Sequence, residues 1–217
     1  MWNKIQVISF DMDGTLIPKD FADDFWLKKI PELYSKKYGV SEEKAFKILM
    51  EHYDEIGKED IRWYQPEFWF SRYDLKQDPK KVLKGVREQY ELYEDAKEAI
   101  EKLHGRYELI IISNGIKMFI ETGLEDYKKY FSSLYSSISD FGMSMKTPSL
   151  YKKVSQEIAT EPEKIVHIGD SLKNDYEPAE EAGMNPYLID REKVEVKKSS
   201  GLHVLNDLRE LSESPTL

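Results

Sequence analysis

The sequence predicts an α/β fold: a parallel β-sheet carries helices on both faces, and an all-helical segment follows the first strand. From about residue 93 onward, short aliphatic runs alternate with longer stretches in which apolar residues recur at helical spacing. This alternation indicates βαβ units with right-handed crossovers. Residues from about 17 to 90 show helical spacing only, and a chain of 217 residues is long enough for one domain with a sizeable insertion.

The first predicted strand is Lys4–Phe10, with Asp11 at its exit. Apolar periodicity then predicts three helices in the insertion. They are Phe21–Tyr38, ended by Gly39; Ser41–Ile56, ended by Gly57; and a helix from Asp78 and Pro79 to Tyr90.

The remainder alternates between strand and helix patterns. Strands are predicted at residues 109–112, 133–138, 164–168 and 187–189, with a short strand or helix starting at Val204. Helices are predicted at residues 95–104, 118–130, 148–158 and 172–182. We expect Gly123 to split the second of these helices, because glycine weakens a helix interior.

Composition excludes several classes of protein. The absence of cysteine removes disulfides, thiolate metal sites and cysteine nucleophiles. A net charge of −9 disfavours binding to nucleic acid. No segment approaches the roughly 18 apolar residues of a membrane helix, and no basic region precedes a long apolar run at the N-terminus. We expect a cytoplasmic protein without nucleic-acid or membrane partners, either a monomer or a homodimer.

Polar clusters follow four predicted strands. They are Asp11-Met12-Asp13-Gly14-Thr15, Ser113-Asn114-Gly115, Lys146, and Gly169-Asp170-Ser171 with Asp175. Ligands of parallel sheets bind beyond the carboxyl ends of the strands, so we expect these clusters to meet. Two carboxylates two positions apart at the end of a buried strand resist joint ionisation, and such an arrangement needs a cation, a reaction or both.

These clusters resemble the motifs of the haloacid dehalogenase-like hydrolase superfamily. DMDGT is similar to its first motif, IIISNG to the second, Lys146 to the third, and IGDSLKNDYEPAEEAGM to the fourth. The third motif departs from the usual pattern because Pro148 lies two positions after the lysine. The resemblance covers residues 1–16 and about 93–190, and is to the phosphoglycolate phosphatase-like branch with a helical C1-type cap.

The resemblance implies a Rossmann-like core at residues 1–16 and 91–217 and a helical cap at residues 17–90. It also implies a Mg²⁺-dependent phosphatase that hydrolyses small-molecule phosphomonoesters through an aspartyl-phosphate intermediate. Asp11 is then the nucleophile and Asp13 the general acid and base. The implied phosphate-binding residues are Thr15, Ser113, Asn114, Gly115 and Lys146. The implied Mg²⁺ ligands are Asp11, the Asp13 carbonyl and Asp170, with Asp175 orienting either an Asp170-bound water or Lys146.

Alternative interpretations remain open at this stage. A phosphomutase differs only in the acceptor of the phosphoryl group, and a catalytically silent protein could use the cap to bind a partner. Dehalogenases of the superfamily lack the acid/base aspartate, so Asp13 favours phosphate esters. Phosphoglycolate, sugar phosphates and nucleotides are all possible substrates.

Individual residues also have simpler explanations. Ser113 and Ser171 could cap helices, and Asp175 could interact with a helix dipole. His167 is expected to be a packed strand residue rather than a base. The aromatic run RWYQPEFWFSRY is expected to form cap core, although Arg62 or Arg72 could instead select the substrate.

Overall fold

A six-stranded parallel sheet forms the centre of the fold and confirms the predicted fold class. The computed structural model describes residues 2–191 and 201–213, so residue 1 and residues 192–200 and 214–217 of the predicted core lie outside the described residues. The strand order is β3-β2-β1-β4-β5-β6. The strands are β1 Val7–Phe10, β2 Glu108–Ser113, β3 Ser133–Ser136, β4 Ile165–Gly169, β5 Asn185–Ile189 and β6 Val204–Leu205.

The helices alternate with these strands after an inserted helical segment between β1 and β2. They are α1 Asp20–Asp23, α2 Ile30–Tyr38, α3 Glu42–Ile56, α4 Pro66–Arg72, α5 Pro79–Arg87, α6 Glu94–Leu103, α7 Lys117–Leu124, α8 Pro148–Glu157, α9 Glu177–Glu181 and α10 Glu210–Glu213. The π-helical turn Asp24–Lys29 joins α1 to α2. A second π-helical turn, Leu172–Tyr176, leads into α9. Within the described ranges, no helix combines the length and apolar character needed to cross a bilayer.

Strand β1 lies at the centre of the sheet, where both of its faces are buried. Phe10 pairs with Ile111 of β2 on one side and with Ile168 of β4 on the other. Phe10 packs into the larger hydrophobic cluster, whereas Val7 packs into a second cluster. The predicted strand began at Lys4; this was wrong, because Trp2–Lys4 form a 3-10 turn before β1.

Local signals set the end of α2 and the starts of α3 and α5 as the sequence predicted. The Ser41 hydroxyl accepts a hydrogen bond from the Lys44 N–H at the start of α3. Gly39 ends α2 with a φ of 65°, a left-handed conformation that favours glycine. Asp78 caps α5 by accepting from the Lys80 N–H. Two other predictions were wrong: the helix Phe21–Tyr38 is divided by a π-helical turn, and α5 ends at Arg87 rather than at Tyr90. The sequence did not predict α4, whose apolar residues follow one another without clear helical spacing.

Gly123 does not split its helix, contrary to the prediction. Helix α7 continues to Leu124, and the break follows at Glu125, where φ is 43°. A Cβ at Gly123 would lie 3.1 Å from Met12 Sδ and 3.3 Å from Phe21 Cε1. Gly123 therefore allows α7 to approach the residues that follow β1, which is a packing role rather than a helix-breaking one.

Candidate active site

The carboxyl ends of β1, β2 and β4 bring the predicted site residues to one edge of the sheet. Asp11 follows β1, and its N–H donates to Ile168 O of β4 at 2.8 Å. Ser113 ends β2, next to β1 in the sheet. Lys146 lies in the loop between β3 and α8, and its ammonium group contacts Asp11 at the same edge. The separate motifs thus converge as the parallel topology requires.

Lys146 is buried and links two buried carboxylates. Its Nζ lies 2.5 Å from Asp11 Oδ1 and donates as well to Asp175 Oδ1. A third bond runs from Nζ to Ile112 O at 3.3 Å. Burial opposes the charged form of Lys146, but Asp11 and Asp175 outweigh it and raise the pKa of the ammonium above its ordinary value. Lys146 is therefore a fixed positive charge.

The pKa values of the two carboxylates bound to Lys146 are shifted in opposite directions. Burial raises the pKa of Asp11 well above its usual value, and Lys146 only partly opposes this shift. Burial also acts on Asp175, but Lys146 and a hydrogen bond from His167 lower its pKa. Asp175 Oδ2 in addition accepts the Ser171 N–H at 3.0 Å. Asp175 is consequently the better stabilised anion, and Asp11 has less compensation for its charge.

Asp13 lies beside this pair and has fewer partners. Its Oδ1 is buried and has no hydrogen-bond partner among the described residues. Burial, with a further contribution from Asp170, raises the pKa of Asp13 to about 7. A carboxyl group with this pKa can both donate and accept a proton near neutral pH, as a general acid and base must.

The backbone after Asp13 turns sharply against Asp170. Gly14 has a φ of 79°, and a Cβ there would overlap the Asp170 carboxylate. The Gly14 N–H donates to Ile17 O at 2.7 Å. Thr15 O accepts from Arg191 Nε at 3.0 Å, and Thr15 Oγ1 is buried with no hydrogen-bond partner in residues 2–191 and 201–213. Only glycine fits at position 14, and the Thr15 hydroxyl is a donor that a bound group could use.

The Ser113-Asn114-Gly115 loop supports both Asp13 and Lys146. Ser113 Oγ accepts the Gly115 N–H at 3.0 Å, so it does not cap α7. Asn114 Oδ1 accepts the Lys146 N–H at 2.7 Å and fixes the lysine loop. A Cβ at Gly115 would lie 3.7 Å from Asp13 Oδ2, so the backbone of this loop runs close to that carboxylate.

Three carboxylates could hold a metal ion. Asp11, Asp170 and Asp175 each place one oxygen within 4.8 Å of the others. Both oxygens of Asp175 already have strong partners, since Lys146 binds Oδ1 and the Ser171 N–H binds Oδ2. Asp11 and Asp170 therefore have more capacity to bind a cation, and carboxylate oxygens suit a hard divalent ion such as Mg²⁺.

Lys19 contacts a predicted site residue, although the sequence did not indicate this. Its Nζ lies 2.5 Å from Asp170 Oδ2, and its side chain remains more than half exposed. Asp170 thus has a cation partner from the start of the inserted segment. A lone lysine between two apolar stretches gives no signal of this contact, because it depends on how the segment packs over the sheet.

The two arginines that could have selected the substrate form ion pairs with carboxylates of the inserted segment. Arg62 pairs with Asp60 at 2.6 Å, and Arg72 pairs with Glu55 at 2.8 Å. Of the aromatic run, Trp69, Phe70 and Tyr73 are buried in the hydrophobic core, as the core interpretation predicts.

Ser171 caps the turn that contains Asp175. Its Oγ accepts the Asn174 N–H at 3.2 Å. The capping interpretation is therefore correct for Ser171, and the capped turn presents Asp175 to Lys146.

The chain matches a family model and several known proteins. The model of haloacid dehalogenase-like hydrolases matches residues 5–183. The GMP/IMP nucleotidase YrfG of Escherichia coli (strain K12) is 28% identical over 90 residues, which are 38% of this chain and 40% of that protein. The chain therefore matches less than half the length of this curated relative.

Two solved structures share the fold over nearly the whole chain. A HAD phosphatase from Thermococcus onnurineus superposes with a TM-score of 0.78 at 23% identity, covering 96% of this chain and 97% of that one. A 2-haloacid dehalogenase from Pseudomonas syringae pv. Tomato DC3000 gives a TM-score of 0.70 at 20% identity, with the same coverage. At these identities the likeness shows the fold.

Replacing Lys146 tests the buried ion pairs. We expect Lys146→Met to lower the free energy of unfolding by about 3–5 kcal/mol, because it leaves two buried carboxylates uncompensated. Urea unfolding at pH 8 with a chelator measures the change. The control is Lys117→Met, which removes a surface pair with Asp140 at 2.8 Å and should cost at most about 1 kcal/mol. Equal losses would contradict the argument.

The raised pKa of Asp13 predicts a pH-dependent stability. The pKa falls from about 7 in the folded state to an ordinary value on unfolding, so wild-type stability decreases as pH rises between those two values. Asp13→Asn removes the ionisable group, and with it this loss of stability at high pH. In chelator, we expect the variant to be about 1–2 kcal/mol more stable at pH 8, since Asp13 is partly exposed.

The same variant should show little difference from wild type at pH 3, below the ordinary aspartate pKa of about 3.9, where Asp13 is mostly neutral in both the folded and the unfolded state. Urea unfolding across this pH range measures the difference. Asp54→Asn, on the exposed surface of α3, is the matched control and should track wild type throughout. Parallel profiles for wild type and Asp13→Asn would refute the raised pKa.

Proposed function

The chain belongs to the haloacid dehalogenase-like hydrolase family, and we propose that it is a Mg²⁺-dependent phosphatase of small-molecule phosphomonoesters. The observation that carries the proposal is the position of Asp13 beside the Asp11–Lys146 pair. Asp11 Oδ1 contacts the ammonium at 2.5 Å, and Asp13 adds a carboxyl group with a pKa of about 7. A nucleophile, a fixed positive charge and a proton donor are the groups that ester cleavage at phosphorus needs.

In the proposed first step, an Asp11 carboxylate oxygen attacks phosphorus. The bond between phosphorus and the ester oxygen breaks, and Asp13 gives its proton to the departing alcohol oxygen. The product is an aspartyl-phosphate on Asp11 and a free alcohol. Asp13 suits this donation because its pKa lies close to neutral pH.

In the second step, Asp13 is a carboxylate and accepts a proton from water. The water oxygen attacks phosphorus, the bond to Asp11 breaks, and inorganic phosphate leaves. Asp13 is protonated again, so the cycle closes without net change in the protein. The same residue acts first as acid and then as base.

Hydrogen-bond donors at the sheet edge support phosphate binding. Thr15 Oγ1 lacks a partner within the described chain. Ser113 Oγ accepts the Gly115 N–H, and its own hydrogen can be donated to a phosphate oxygen. Lys146 supplies positive charge next to Asp11. Asn114 Oδ1 accepts the Lys146 N–H and holds the lysine loop, and the Asn114 amide N–H groups are the donors for its proposed phosphate contact.

The carboxylates fit a bound Mg²⁺. Asp11, Asp170 and the Asp13 carbonyl would hold it, while Asp175 stays on Lys146 and the Ser171 N–H. The ion would neutralise charge on the phosphoryl oxygens. Oxygen-only donors suit this metal, and it keeps several waters, so three protein ligands are enough.

The inserted segment fits a cap over this site. We propose that residues 17–90 form the cap and that residues 1–16 and 91–217 form the core. Lys19 of the segment reaches Asp170, and Arg87 Nε donates to Gly123 O of α7 at 2.8 Å. A helical cover of this kind excludes water while the phosphoryl group is bound to Asp11.

The similar proteins include a nucleotidase, a phosphatase and a dehalogenase, and Asp13 distinguishes ester cleavage from dehalogenation. Dehalogenases of the superfamily lack this acid/base aspartate, so its presence supports ester cleavage. The E. coli relative is named a GMP/IMP nucleotidase, which supports purine nucleoside monophosphates as candidate substrates. Phosphoglycolate and sugar phosphates remain in the same proposed class.

The nucleophile is tested by Asp11→Asn. With Mg²⁺ and para-nitrophenyl phosphate, GMP, IMP, phosphoglycolate and sugar phosphates as substrates, we expect wild type to release inorganic phosphate. Asp11→Asn should reduce release to background, because the amide oxygen is a poor nucleophile. Asp13→Asn should lose about 10²–10⁴-fold, the typical contribution of general acid–base catalysis. Asp54→Asn, on the exposed surface of α3, is the control and should retain full activity.

Two outcomes would replace the proposal. Conversion of a sugar phosphate into its isomer without inorganic phosphate would indicate a phosphomutase. Absence of turnover on every ester, or activity that survives Asp11→Asn, would favour a partner-binding protein instead.

Lys19 offers a test of the metal site that does not depend on turnover. Its ammonium neutralises Asp170, so an incoming divalent cation has to displace it. We expect Lys19→Met to strengthen Mg²⁺ binding by about two- to fivefold, the range of an exposed ion pair. Isothermal titration calorimetry measures the affinity.

Lys28→Met is the matched control for this titration, since Lys28 pairs with Asp24 at the same 2.5 Å distance and is also exposed. It should leave Mg²⁺ affinity unchanged. Weaker binding in Lys19→Met would show that Lys19 assists the ion rather than competing with it.

A further inference from the structure

A buried polar chain lies behind the site, in residues that the proposed reaction does not use. Ser9 of β1, His167 of β4 and Tyr151 of α8 are all completely buried. Ser9 and His167 pair directly across the two strands. Polar groups at such depth are costly unless each one is hydrogen-bonded. The hydrogen-bond partners of these three side chains therefore show what fixes their positions.

His167 makes contacts through both ring nitrogens. Ser9 Oγ lies 2.9 Å from Nδ1. Tyr151 OH lies 2.9 Å from Nε2, and Asp175 Oδ1 lies 3.2 Å from the same nitrogen. Tyr151 OH also reaches Asn174 O at 3.3 Å. The imidazole thus connects the interior of the sheet to the carboxylate that binds Lys146.

One arrangement of protons gives every one of these buried polar side chains a hydrogen-bond partner. The Ser9 hydroxyl donates to Nδ1, which makes Nδ1 the acceptor and puts the ring proton on Nε2. The Nε2–H then donates to Asp175 Oδ1 and shares this bond with the Tyr151 oxygen. Tyr151 donates its own proton to Asn174 O. Asp175 can only accept, so the opposite tautomer would place two lone pairs against each other.

We propose that His167 is a positioning residue, which holds Asp175 so that Lys146 is aligned with Asp11. The connection is continuous: His167 Nε2 to Asp175 Oδ1, Asp175 Oδ1 to Lys146 Nζ, and Lys146 Nζ to Asp11 Oδ1. The role rests on the proposed function only in that Asp11 must be the reacting group.

Fixing Asp175 needs more than Lys146 alone. Asp175 Oδ1 bonds both the ammonium and the imidazole, while Oδ2 accepts the Ser171 N–H at 3.0 Å. The carboxylate is thereby held from three directions. A Cβ at Gly169 would overlap the Asp175 side chain, so the absence of a side chain at this position of β4 lets the carboxylate lie directly against the strand. Loss of the imidazole donor removes the hydrogen bond that Asp175 receives from the interior of the sheet.

The test compares three replacements with different donors. His167→Leu removes the donor, whereas His167→Gln can place an amide N–H near the position of Nε2–H. Tyr151→Phe removes one hydroxyl and keeps the ring, and it serves if His167→Leu does not fold. Steady-state kinetics with para-nitrophenyl phosphate and Mg²⁺ give kcat and KM, and thermal unfolding reports the integrity of each variant.

We expect His167→Leu to lower kcat by about 10- to 100-fold, the usual effect of losing a residue that orients a site group. KM should change less than about twofold, because Thr15 and Ser113, which we propose to bind phosphate, lie outside the hydrogen bonds that join His167, Asp175 and Lys146. His167→Gln should recover most of the loss. Tyr151→Phe should lower kcat by less than His167→Leu, since Nε2–H still reaches Asp175. Equal activity of the Leu and Gln variants would overturn the proposal.

Nitrogen-15 NMR of the imidazole gives a readout that does not need turnover. We expect His167 to be neutral, with its proton on Nε2 and slow exchange with solvent. In Ser9→Ala the Nδ1 shift should move while Nε2 remains protonated. A proton on Nδ1 in wild type would refute the assignment. If wild type releases no phosphate but the NMR result holds, the proposed function fails and the hydrogen-bond assignment stands.

Discussion

The contact of Lys146 with Asp11 and Asp175 is the interaction on which the rest of the site depends. Two carboxylates cannot remain ionised together in a buried position unless a cation compensates them. Lys146 meets this need from a loop 135 residues away from Asp11 in the chain. The parallel sheet makes that contact possible, because the loops after β3, β1 and β4, which carry Lys146, Asp11 and Asp175, leave the sheet at the same edge.

The sheet supplies the rigidity that such a contact requires. Asp11 follows a strand whose neighbours on both sides are hydrogen-bonded to it, and its own N–H bonds Ile168 O. Asn114 fixes the Lys146 backbone, and Ser171 caps the turn that carries Asp175. Each charged group thus stands on a backbone held by bonds outside the charged cluster, so its position does not rely on the ion pairs alone.

The sequence allowed the fold class and the convergence of the site loops to be predicted, and the reason is physical. Short aliphatic runs followed directly by Asp11, Ser113 or Asp170 carry both the strand and its polar exit in adjacent residues. The contacts of His167 and Lys19 have no such local signature. Ser9 and His167 are 158 positions apart, and the Lys19–Asp170 contact depends on how the inserted segment packs. The extent of β1 and the role of Gly123 were likewise mispredicted, because tertiary packing decided both.

The charge of the site explains why a divalent cation fits better than a further lysine. Asp11, Asp13, Asp170 and Asp175 lie together, and the ammonium groups in contact with them are those of Lys146 and Lys19. With all four carboxylates ionised, the cluster carries an excess of about two negative charges. The raised pKa of Asp13 relieves part of that excess by retaining a proton. A divalent ion would relieve the remainder, after which Lys19 no longer needs Asp170 as its partner. Under the proposed function, the dianionic phosphate of a monoester would then meet a site that is close to neutral rather than repulsive, which is the condition for an acidic protein to bind an acidic substrate.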